Sequence, residues 1–529
     1  MIFPKNMNNE TKTLAQQHIY TILLCICLWM MTQTIAAQIE GLTDETYYKV
    51  ELNGTFSSGD QAPFWMSANK YGLSSTEPNS GYLRAGLYRD TETDSLLNWR
   101  YGYGLDLVAP IHYTSPFIIH QAYGVIQYKN ARLTIGARET PSEMLNQALS
   151  SGGMTLSGNY RPIPQVRFEL PDWWVWHFTN DWVAVKGHIS YGMTTDHNWQ
   201  EEFVAEGQKY TRHALFHSKS GFLQVGRTDV FPVTATLGLQ MATQFGGYGY
   251  NIQDRDDARS ILGEKTNLGN SLKDFWNAFI PGGNDVNDGD YDNVSGNQTG
   301  NWYIDLMYHG KGWNVKAYAQ HFFEDHSQMF VQYGWKDMLW GLEIGLPKNP
   351  FVSNVVAEYL RTDDQTGGVY HDENTLLPIQ ISGKDDYYNH HVYGVWQHWG
   401  QNMGNPLLLS PIYNTDGKLI CYYNRVRAFH IGIDGDPLPS LHYRLKYSHL
   451  KTLGTYTYPT LDPLHQNYLL AEVTWEPVKS SMGQGFKSSR GSKWWEGFSI
   501  TGAWSLNTGD LLDESSGFSL TIRKIGKLF

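Results

Sequence analysis

The densest group of side chains that could recognise a ligand lies between residues 387 and 405. Recognition of a sugar needs flat aromatic faces for the apolar side of the ring, and amides, carboxylates or arginine forks for the hydroxyl groups. This segment supplies both kinds of group at little net charge, so it predicts a glycan-binding surface. The same rings are also typical of loop packing, and the sequence leaves that alternative open. The predicted binding residues of this segment are Tyr387, Tyr388, His391, Trp396, His398 and Trp399.

Three arginines, Arg161, Arg167 and Arg425, extend this prediction. The chain has a formal charge of -12, so an acidic polymer would be bound by a local arginine patch and not by net charge. Pro162 and Pro164 stiffen the backbone between the first two arginines, which suits a fixed plug or loop. The alternative is that these arginines pair with carboxylates inside a barrel and hold an inner network together.

The neighbouring carboxylates Glu324 and Asp325 are included as hydrogen-bond acceptors for a glycan. Glycoside hydrolysis also uses two carboxylates, about 5–10 Å apart across the scissile bond, and sequence neighbours alone do not indicate that separation. His390, His391 and His398 have the chemistry of metal ligands. However, adjacent strand residues point to opposite faces, and no carboxylate follows at a fixed spacing. We therefore predict no catalytic site, no metal site and no cofactor.

The sequence also lacks the common catalytic and cofactor-binding motifs. The sequence has no Gly-x-Ser-x-Gly turn, no His-Glu-x-x-His pair, no phosphate loop and no dinucleotide glycine fingerprint. It has no basic block or stripe, so nucleic acid is not an expected partner. Cys421 is the one cysteine outside the N-terminal apolar segment, so no internal disulfide of the mature chain is expected. These observations favour a protein that is not an enzyme.

The N-terminal segment has the parts of a secretory signal peptide. Lys5 and Lys12 are basic, residues 22–31 form a short apolar run, and small residues follow. About ten apolar residues are too few to cross a bilayer core, which needs roughly 20. We therefore predict a cleaved signal peptide at 1–37 and a single-domain mature chain at 38–529.

The elements that must position the predicted site are strands of about ten residues with strict alternation. In 99–111, large apolar and aromatic residues occupy every second position, and Arg, Gly and Asp occupy most of the others. The mean hydropathy of -0.43 excludes a bundle of membrane helices, but alternation gives one apolar face and one polar face. Aromatic pairs at strand ends, such as Trp494 and Trp495, are typical of interface girdles. We predict an all-β fold, a large antiparallel transmembrane β-barrel of about 16–18 strands. A secreted soluble β-protein is the alternative.

Two short inserts carry helix signals. Thr140 to Glu143 combine a cap, a proline at the first helical position and a glutamate three residues on, which predicts a helical insert near 140–151. Ser271 caps a second apolar segment and predicts a helix near 271–280. Long loops are expected near 253–300 and 362–420.

Seven segments, in order along most of the mature chain, resemble the capsule assembly Wzi family as it occurs in Bacteroides-type bacteria. The resemblance implies an outer-membrane barrel, eighteen-stranded in the described member, with helices folded against or into it. It also implies a lectin-like role, in which the protein holds capsular polysaccharide at the cell surface and neither exports nor cleaves it. The segments are 149–167, 321–329, 358–367, 386–391, 406–413, 424–430 and 454–456.

The resulting expectation is a monomeric barrel in the bacterial outer membrane, with capsular or other surface polysaccharide and membrane lipid as its partners. Two alternatives stay open. A porin or nutrient-uptake channel would share every strand signal but would leave its lumen open. A surface glycan hydrolase would need a catalytic pair of carboxylates that the sequence does not reveal.

Overall fold

The computed structural model describes residues 44–94, 97–252, 265–280, 296–324, 329, 335–347, 349–371, 381–477 and 495–528. Several sequence predictions lie wholly or partly outside these residues. They include the signal peptide at 1–37, Asp325, Trp494 of the aromatic pair and much of the loop at 253–300.

Eighteen antiparallel strands close into one barrel, which confirms the predicted fold class. Each barrel strand pairs with the next one along the chain, and the first pairs with the last to close the sheet. In chain order the strands are β1 Tyr47–Ser58, β2 Asn79–Arg89, β3 Trp99–Ile111, β4 Ile118–Tyr128, β5 Ala131–Ala137, β6 Gln165–Val175, β7 Val183–Met193, β8 Leu215–Val225, β9 Val233–Phe245, β10 Asn297–His309, β11 Asn314–Glu324, β12 Met338–Gly345, β13 Asn354–Arg361, β14 Val426–Leu438, β15 Leu441–Gly454, β16 Pro459–Trp475, β17 Phe498–Gly509 and β18 Ser515–Lys527.

The two faces of the sheet differ as the alternation requires. In β3, Leu105 is exposed on the outer face, while its neighbour Asp106 is fully buried on the inner face. An apolar outer surface around a polar interior is the arrangement of a barrel that crosses a bilayer. Other outward apolar side chains are those of Leu52, Ile126, Phe168, Leu237 and Ile304.

The two ends of the barrel are built differently. β1 begins and β18 ends at the end that carries tight hairpins, such as those at 129–130 and 439–440. The opposite end carries long connections, among them 138–164, 194–214 and 362–425. We call these the short-turn end and the long-loop end.

Three connections from the long-loop end fold back into the lumen. They are residues 59–78, 139–164 and 385–424, and together we call them the plug. Every residue from 149 to 163 and from 393 to 411 is buried. The interior of this barrel is therefore occupied by ordered chain at the level of the plug.

Hydrogen bonds from inward-facing strand residues hold the plug to the wall. Glu358 of β13 accepts from the amide of Ser151 at 2.7 Å, and Asn507 of β17 accepts from the amide of Phe64 at 3.0 Å. Such bonds satisfy backbone groups that irregular chain would otherwise leave buried without partners. Further wall residues that bond to the plug are Asn301, Gln320, His430 and Lys446.

The predicted helical insert near 140–151 is wrong, because this segment forms turns. Met144 has a left-handed backbone with a φ of 65°, which a right-handed helix does not accommodate. Asn146 Oδ1 accepts from the amides of Ala148 and Leu149 at 3.1 and 3.0 Å. These local side-chain bonds compete with the helical pattern.

The helix expected near 271–280 is present as Leu272–Phe279, where Ser271 and Asp274 form a capping box. No helix of the described residues is long and apolar enough to span a membrane. Among the residues described, the other helical turns are Phe64–Ser67 and Trp199–Phe203, and the 3-10 turns are Thr91–Asp94, His177–Thr179 and Pro411–Tyr413. The short strands outside the barrel are Tyr210–Arg212, Tyr248–Tyr250, Thr266–Asn267, Thr366–His371, Ile381–Lys384, Asn389–His390, Gly394–Val395, Gln397–His398 and Gln401–Asn402.

Candidate functional site

The aromatic part of the predicted glycan surface is packed inside the plug. Tyr387 and Tyr388 are fully buried, and Phe322 meets both rings edge-on, with centroids 4.8 and 5.5 Å away. Trp396 is equally buried and donates from Nε1 to the carbonyl of Thr155 at 2.9 Å. Protein therefore covers the faces of these rings. This corrects the expectation of an open sugar platform, and it is what the loop-packing alternative expects.

The two predicted histidines also serve the plug. His398 is buried, and its Nδ1 donates to the carbonyl of Arg161 at 2.7 Å while its Nε2 accepts from the amide of Thr195 at 3.1 Å. Burial is the main cause that lowers the pKa of His398 to about 4, so the ring is neutral at pH 7. His391 is half-buried, and its carbonyl accepts from Lys209 Nζ at 2.7 Å. Both nitrogens of His398 are already used within the protein.

The predicted carboxylate Glu324 also forms a hydrogen bond with the plug. It is buried at the end of β11 and accepts from the amide of Tyr388 at 2.5 Å. Its partner in the prediction, Asp325, lies outside the described residues. Glu324 therefore positions Tyr388, and a role for the two carboxylates in ligand binding stays a prediction.

Arg167 belongs to an ion-pair network on the inner wall. Its guanidinium lies 3.3 Å from Glu143 and 2.9 Å from Glu169, and Glu169 also pairs with Arg132 at 2.8 Å. The side chain of Arg167 is buried. This is the arrangement of the alternative in which arginines pair with inner carboxylates.

Arg161 is also buried but, unlike Arg167, it pairs with no carboxylate among the described residues. Its guanidinium carbon lies over the ring of Trp399, 3.9 Å from the centroid, and its Nη2 donates to Thr114 Oγ1 at 3.2 Å. Burial lowers the pKa of Arg161 to about 9, which still leaves it charged at pH 7. Only 5% of the residue remains exposed. Arg161 and Trp399 are thus brought together, but inside the plug.

Arg425 lies at the surface of the long-loop end. Its guanidinium stacks on Tyr456, 3.9 Å from the ring centroid, and Lys384 Nζ lies 5.3 Å from the same centroid. The hydroxyl of Tyr456 donates to the carbonyl of Asp364 at 3.0 Å, which fixes the ring across the ends of β13 and β15. Arg425 is the predicted binding residue that the fold leaves at an open aromatic surface.

Two further tyrosines extend that surface. Tyr458 is 47% exposed in the turn between β15 and β16, and Tyr422 meets it edge-on at a centroid distance of 5.4 Å. We call Arg425, Lys384, Tyr422, Tyr456 and Tyr458 the rim cluster. The sequence analysis missed the three tyrosines. The signal for Tyr456 and Tyr458 was a Gly-Thr-Tyr-Thr-Tyr turn at 454–458 between two long alternating segments, which does not include Tyr422.

A separate cavity of about 600 Å³ lies beneath the plug. Its walls come from strand residues near the short-turn end and from the 139–147 segment of the plug. Cations and carboxylates face it in similar numbers, together with the indole of Trp173. The lining includes Arg132, Glu169, Lys186, Asp305, Lys316 and Glu343.

One set of side chains has the composition of a metal site. Donor atoms of Asp106, His120 and Glu139 lie within 4.8 Å of one another. Arg84, however, donates to Asp106 from Nε at 2.8 Å and to Glu139 from Nη2 at 3.0 Å. Because a guanidinium already neutralises these carboxylates, the set is better described as an ion-pair network.

The fold and the rim together define a class of protein: a large antiparallel barrel of the outer-membrane type, with ordered chain inside its lumen. No family model and no curated protein sequence matches the chain. A solved structure similar in fold is that of Wzi from Escherichia coli, described as an outer-membrane protein involved in group 1 capsule assembly and as a carbohydrate-binding β-barrel. It has a TM-score of 0.53 and 14% identity, over 92% of this chain and 86% of that one.

Two other solved structures give weaker matches. OccAB4 of Acinetobacter baumannii has a TM-score of 0.44 and 9% identity, over 92% of this chain and 99% of that one. OccK5 of Pseudomonas aeruginosa also has a TM-score of 0.44, with 8% identity over 92% and 100% of the two chains. At 14% identity the likeness to Wzi establishes the barrel fold alone, and membership of the capsule assembly family stays a prediction.

Proposed function

We propose that this protein is a plugged outer-membrane barrel that holds capsular or other surface polysaccharide at the cell surface without cleaving it. The observation that carries the proposal is the rim cluster. It combines exposed tyrosine rings with two cations at the mouth of a barrel whose lumen is occupied by the plug. The carbohydrate binding stated for Wzi, which shares the fold, agrees with the proposal.

The proposal requires the long-loop end to face the outside of the cell. Outer-membrane barrels have short turns on the periplasmic side and longer loops on the outer side. In this chain the termini of the barrel lie with the tight hairpins, and the plug and the rim cluster come from the other end. A polymer at the cell surface would therefore meet the rim cluster first.

The chemistry of the rim cluster suits a polyhydroxylated and acidic chain. Tyr458 offers a half-exposed ring to the C–H face of a sugar. Arg425 and Lys384 both lie near the ring of Tyr456, and Lys384 also donates to the carbonyl and the carboxylate of Asp364 at 2.8 and 3.0 Å. An arginine fork binds a carboxylate or neighbouring hydroxyls. This is the local cationic surface that an acidic polysaccharide needs on a chain of net charge -12.

The porin alternative makes a different demand on the same barrel. A channel needs a continuous aqueous path, whereas here the plug bonds to wall residues of β10, β11, β13, β14, β15 and β17. Purified protein in planar bilayers should therefore give no steady conductance above that of the bare membrane. A large conductance that a solute blocks would favour the channel and contradict the proposal.

The tether itself is tested in cells that lack the gene. Complementation with the natural chain should restore cell-bound polysaccharide, whereas Arg425→Gln combined with Tyr458→Ala should release most of it into the medium. Phe178→Ala is a matched control, because this exposed ring lies in the short turn between β6 and β7, at the other end. Full retention with the rim double variant would contradict the proposal. Shortened polysaccharide chains after incubation with purified protein would favour the hydrolase.

A further inference from the structure

The outer face of the barrel carries a row of cations at the long-loop end. Arg361 pairs with Arg427 across β13 and β14, and Arg427 pairs with Lys451 across β14 and β15. Side chains alternate between the two faces of a sheet, so the burial of an adjacent residue in each strand places these cations on the outer face. The buried residues are Leu360, Ala428 and Leu450.

A row of aromatic side chains lies directly beside these cations. Trp340 pairs with Tyr359, and Tyr359 pairs with Phe429. Tyr359 and Phe429 lie two residues nearer the middle of their strands than Arg361 and Arg427. All three rings are exposed on the outer face. Aromatic girdles mark the boundary between the hydrocarbon and the headgroups. The cations therefore lie at the level of the headgroups, in the leaflet at the long-loop end.

Asp363 holds the two arginines side by side. One carboxylate oxygen accepts from Arg361 Nε at 2.6 Å and the other from Arg427 Nε at 2.5 Å, and the Asp363 side chain is 7% exposed. Like charges on neighbouring strands repel each other, so a buried carboxylate between them fixes both forks. Arg427 contacts Asp363 through Nε, which leaves its outer nitrogens to face another oxyanion, whereas Nη2 of Arg361 also lies 4.0 Å from Asp364.

Positive charge is in excess around this carboxylate. Lys336 pairs with Asp364 at 2.9 Å and is more than half exposed, as is the side chain of Arg427. We call Lys336, Arg361, Arg427 and Lys451 the outer basic patch. Lys336, Lys384, Arg361 and Arg427 therefore pair with the two carboxylates Asp363 and Asp364, and Lys451 lies across from Arg427. The net charge of the chain is -12.

We propose that the outer basic patch binds the phosphate groups of lipid headgroups in the leaflet at the long-loop end. Phosphate is the oxyanion that clustered arginine and lysine side chains recognise best. The position just beyond the aromatic row favours a lipid over a soluble polymer, because a headgroup at this level also places its acyl chains against the apolar wall. The inference does not depend on the polysaccharide proposal, which rests on the rim cluster.

The test uses the full chain in phosphatidylcholine nanodiscs that contain either diphosphorylated lipid A or the same lipid without its phosphates. Native mass spectrometry after transfer to detergent measures which lipid stays bound. The variant is Arg361→Gln with Arg427→Gln. The control is Lys129→Gln with Lys311→Gln, which removes two exposed cations from tight turns at the short-turn end. The heat-dependent gel shift of a folded barrel checks that each protein is intact.

We expect the natural chain and the control to retain the phosphorylated lipid, and the arginine variant to bind it about tenfold more weakly or worse. Retention of the lipid without phosphates should be weak in all three proteins, and added salt should reduce retention of the phosphorylated form. Equal retention of phosphorylated lipid by variant and control would overturn the inference. So would displacement of the lipid by a soluble acidic polysaccharide at low concentration, which would assign the patch to the polymer.

Discussion

Arg161 and Arg425 form the same kind of contact in two different regions. Each guanidinium stacks on an aromatic ring at 3.9 Å from its centroid, Arg161 on Trp399 and Arg425 on Tyr456. The first pair is buried in the plug, while Arg425 is half-buried and Tyr456 is 38% exposed at the rim. Identical chemistry thus serves packing in one place and can meet a ligand in the other. The surroundings decide which role is available.

The largest expected difference between the two pairs concerns stability. Trp399→Ala removes a buried ring and should cost about 3–5 kcal/mol of plug stability, as other buried Trp→Ala changes do. Tyr456→Ala removes a partly exposed ring and should cost less than half of that. Hydrogen exchange of the amides in 385–424 measures both effects. Equal loss of protection in the two variants would contradict the distinction between plug and rim.

Acidification should loosen the plug at His398. The pKa of His398 is about 4 in the folded chain, below the ordinary 6.5, so folding excludes a proton between these values. The stability that neutral His398 contributes is fully present above pH 6.5 and is lost as the pH falls towards 4. Between pH 7 and pH 5 the loss should be about 2 kcal/mol. Hydrogen exchange of the Thr195 amide, corrected for the pH dependence of the intrinsic exchange rate, measures this loss of stability.

His398→Gln is the matched control for this effect. A glutamine amide can donate to the Arg161 carbonyl or accept from the Thr195 amide, but it does not titrate. Protection of the Thr195 amide should therefore depend less on pH in this variant than in the natural chain. The same pH dependence in both proteins would remove His398 from the explanation.

At the rim, the stacked arginine should matter for affinity more than for stability. Arg425→Lys keeps the charge but loses the guanidinium that lies over Tyr456 and its forked donors, so polysaccharide affinity should fall about three- to tenfold. Arg161→Lys should change plug protection and leave affinity within about twofold. Titration of purified variants with polysaccharide checks the two outcomes. A greater loss of affinity for Arg161→Lys would reverse the roles of the two arginines.

The effect of acidification on stability should have the opposite sign at Asp337 from that at His398, and it should be smaller. Asp337 is buried beside the rim and accepts from the amides of Asp364 and Gln365 at 3.1 and 2.5 Å. Burial raises its pKa to about 6, so the folded chain takes up a proton as the pH falls from 7 to 5. Protonation removes the cost of burying a charge, so acidification should stabilise the folded arrangement around Asp337 against opening, by about 1 kcal/mol.

Asp337→Asn tests that sign. The variant lacks the titrating group, so protection of the Gln365 amide should respond less to pH than it does in the natural chain. Loss of protection on acidification of the natural chain would show that the charged form of Asp337 is the stabilising one.

The barrel could be predicted from sequence because its pattern is local. Apolar residues such as Leu105 alternate with polar ones such as Asp106, and period-two alternation specifies both the strand and its two faces. The helix Leu272–Phe279 was equally local, since its capping box lies within four residues. The segment near 140–151 carried similar cap residues. The helix prediction failed there because the hydrogen bonds of Asn146, to nearby backbone and to Glu343 of the wall, determine the backbone of this segment.

The site was harder to predict because exposure depends on distant contacts. Tyr388 is buried because it packs against the ring of Phe322, and its hydroxyl donates to the carbonyl of Met154, more than two hundred residues away. No pattern within 387–405 reveals this packing. Arg425 was found by residue type, but its partner Tyr456 becomes a neighbour only when β14 and β15 pair. Residue chemistry could therefore be read from the sequence, whereas the surface that presents it could not.

The most direct test of the central claim is an equilibrium binding measurement between the purified natural chain and the capsular polysaccharide of its own organism. Arg425→Gln with Tyr458→Ala and the control Phe178→Ala are measured under the same salt conditions. The account predicts saturable binding by the natural chain and the control, and binding about tenfold weaker or more by the rim variant. Undiminished binding by the rim variant, or no binding by the natural chain, would contradict the account.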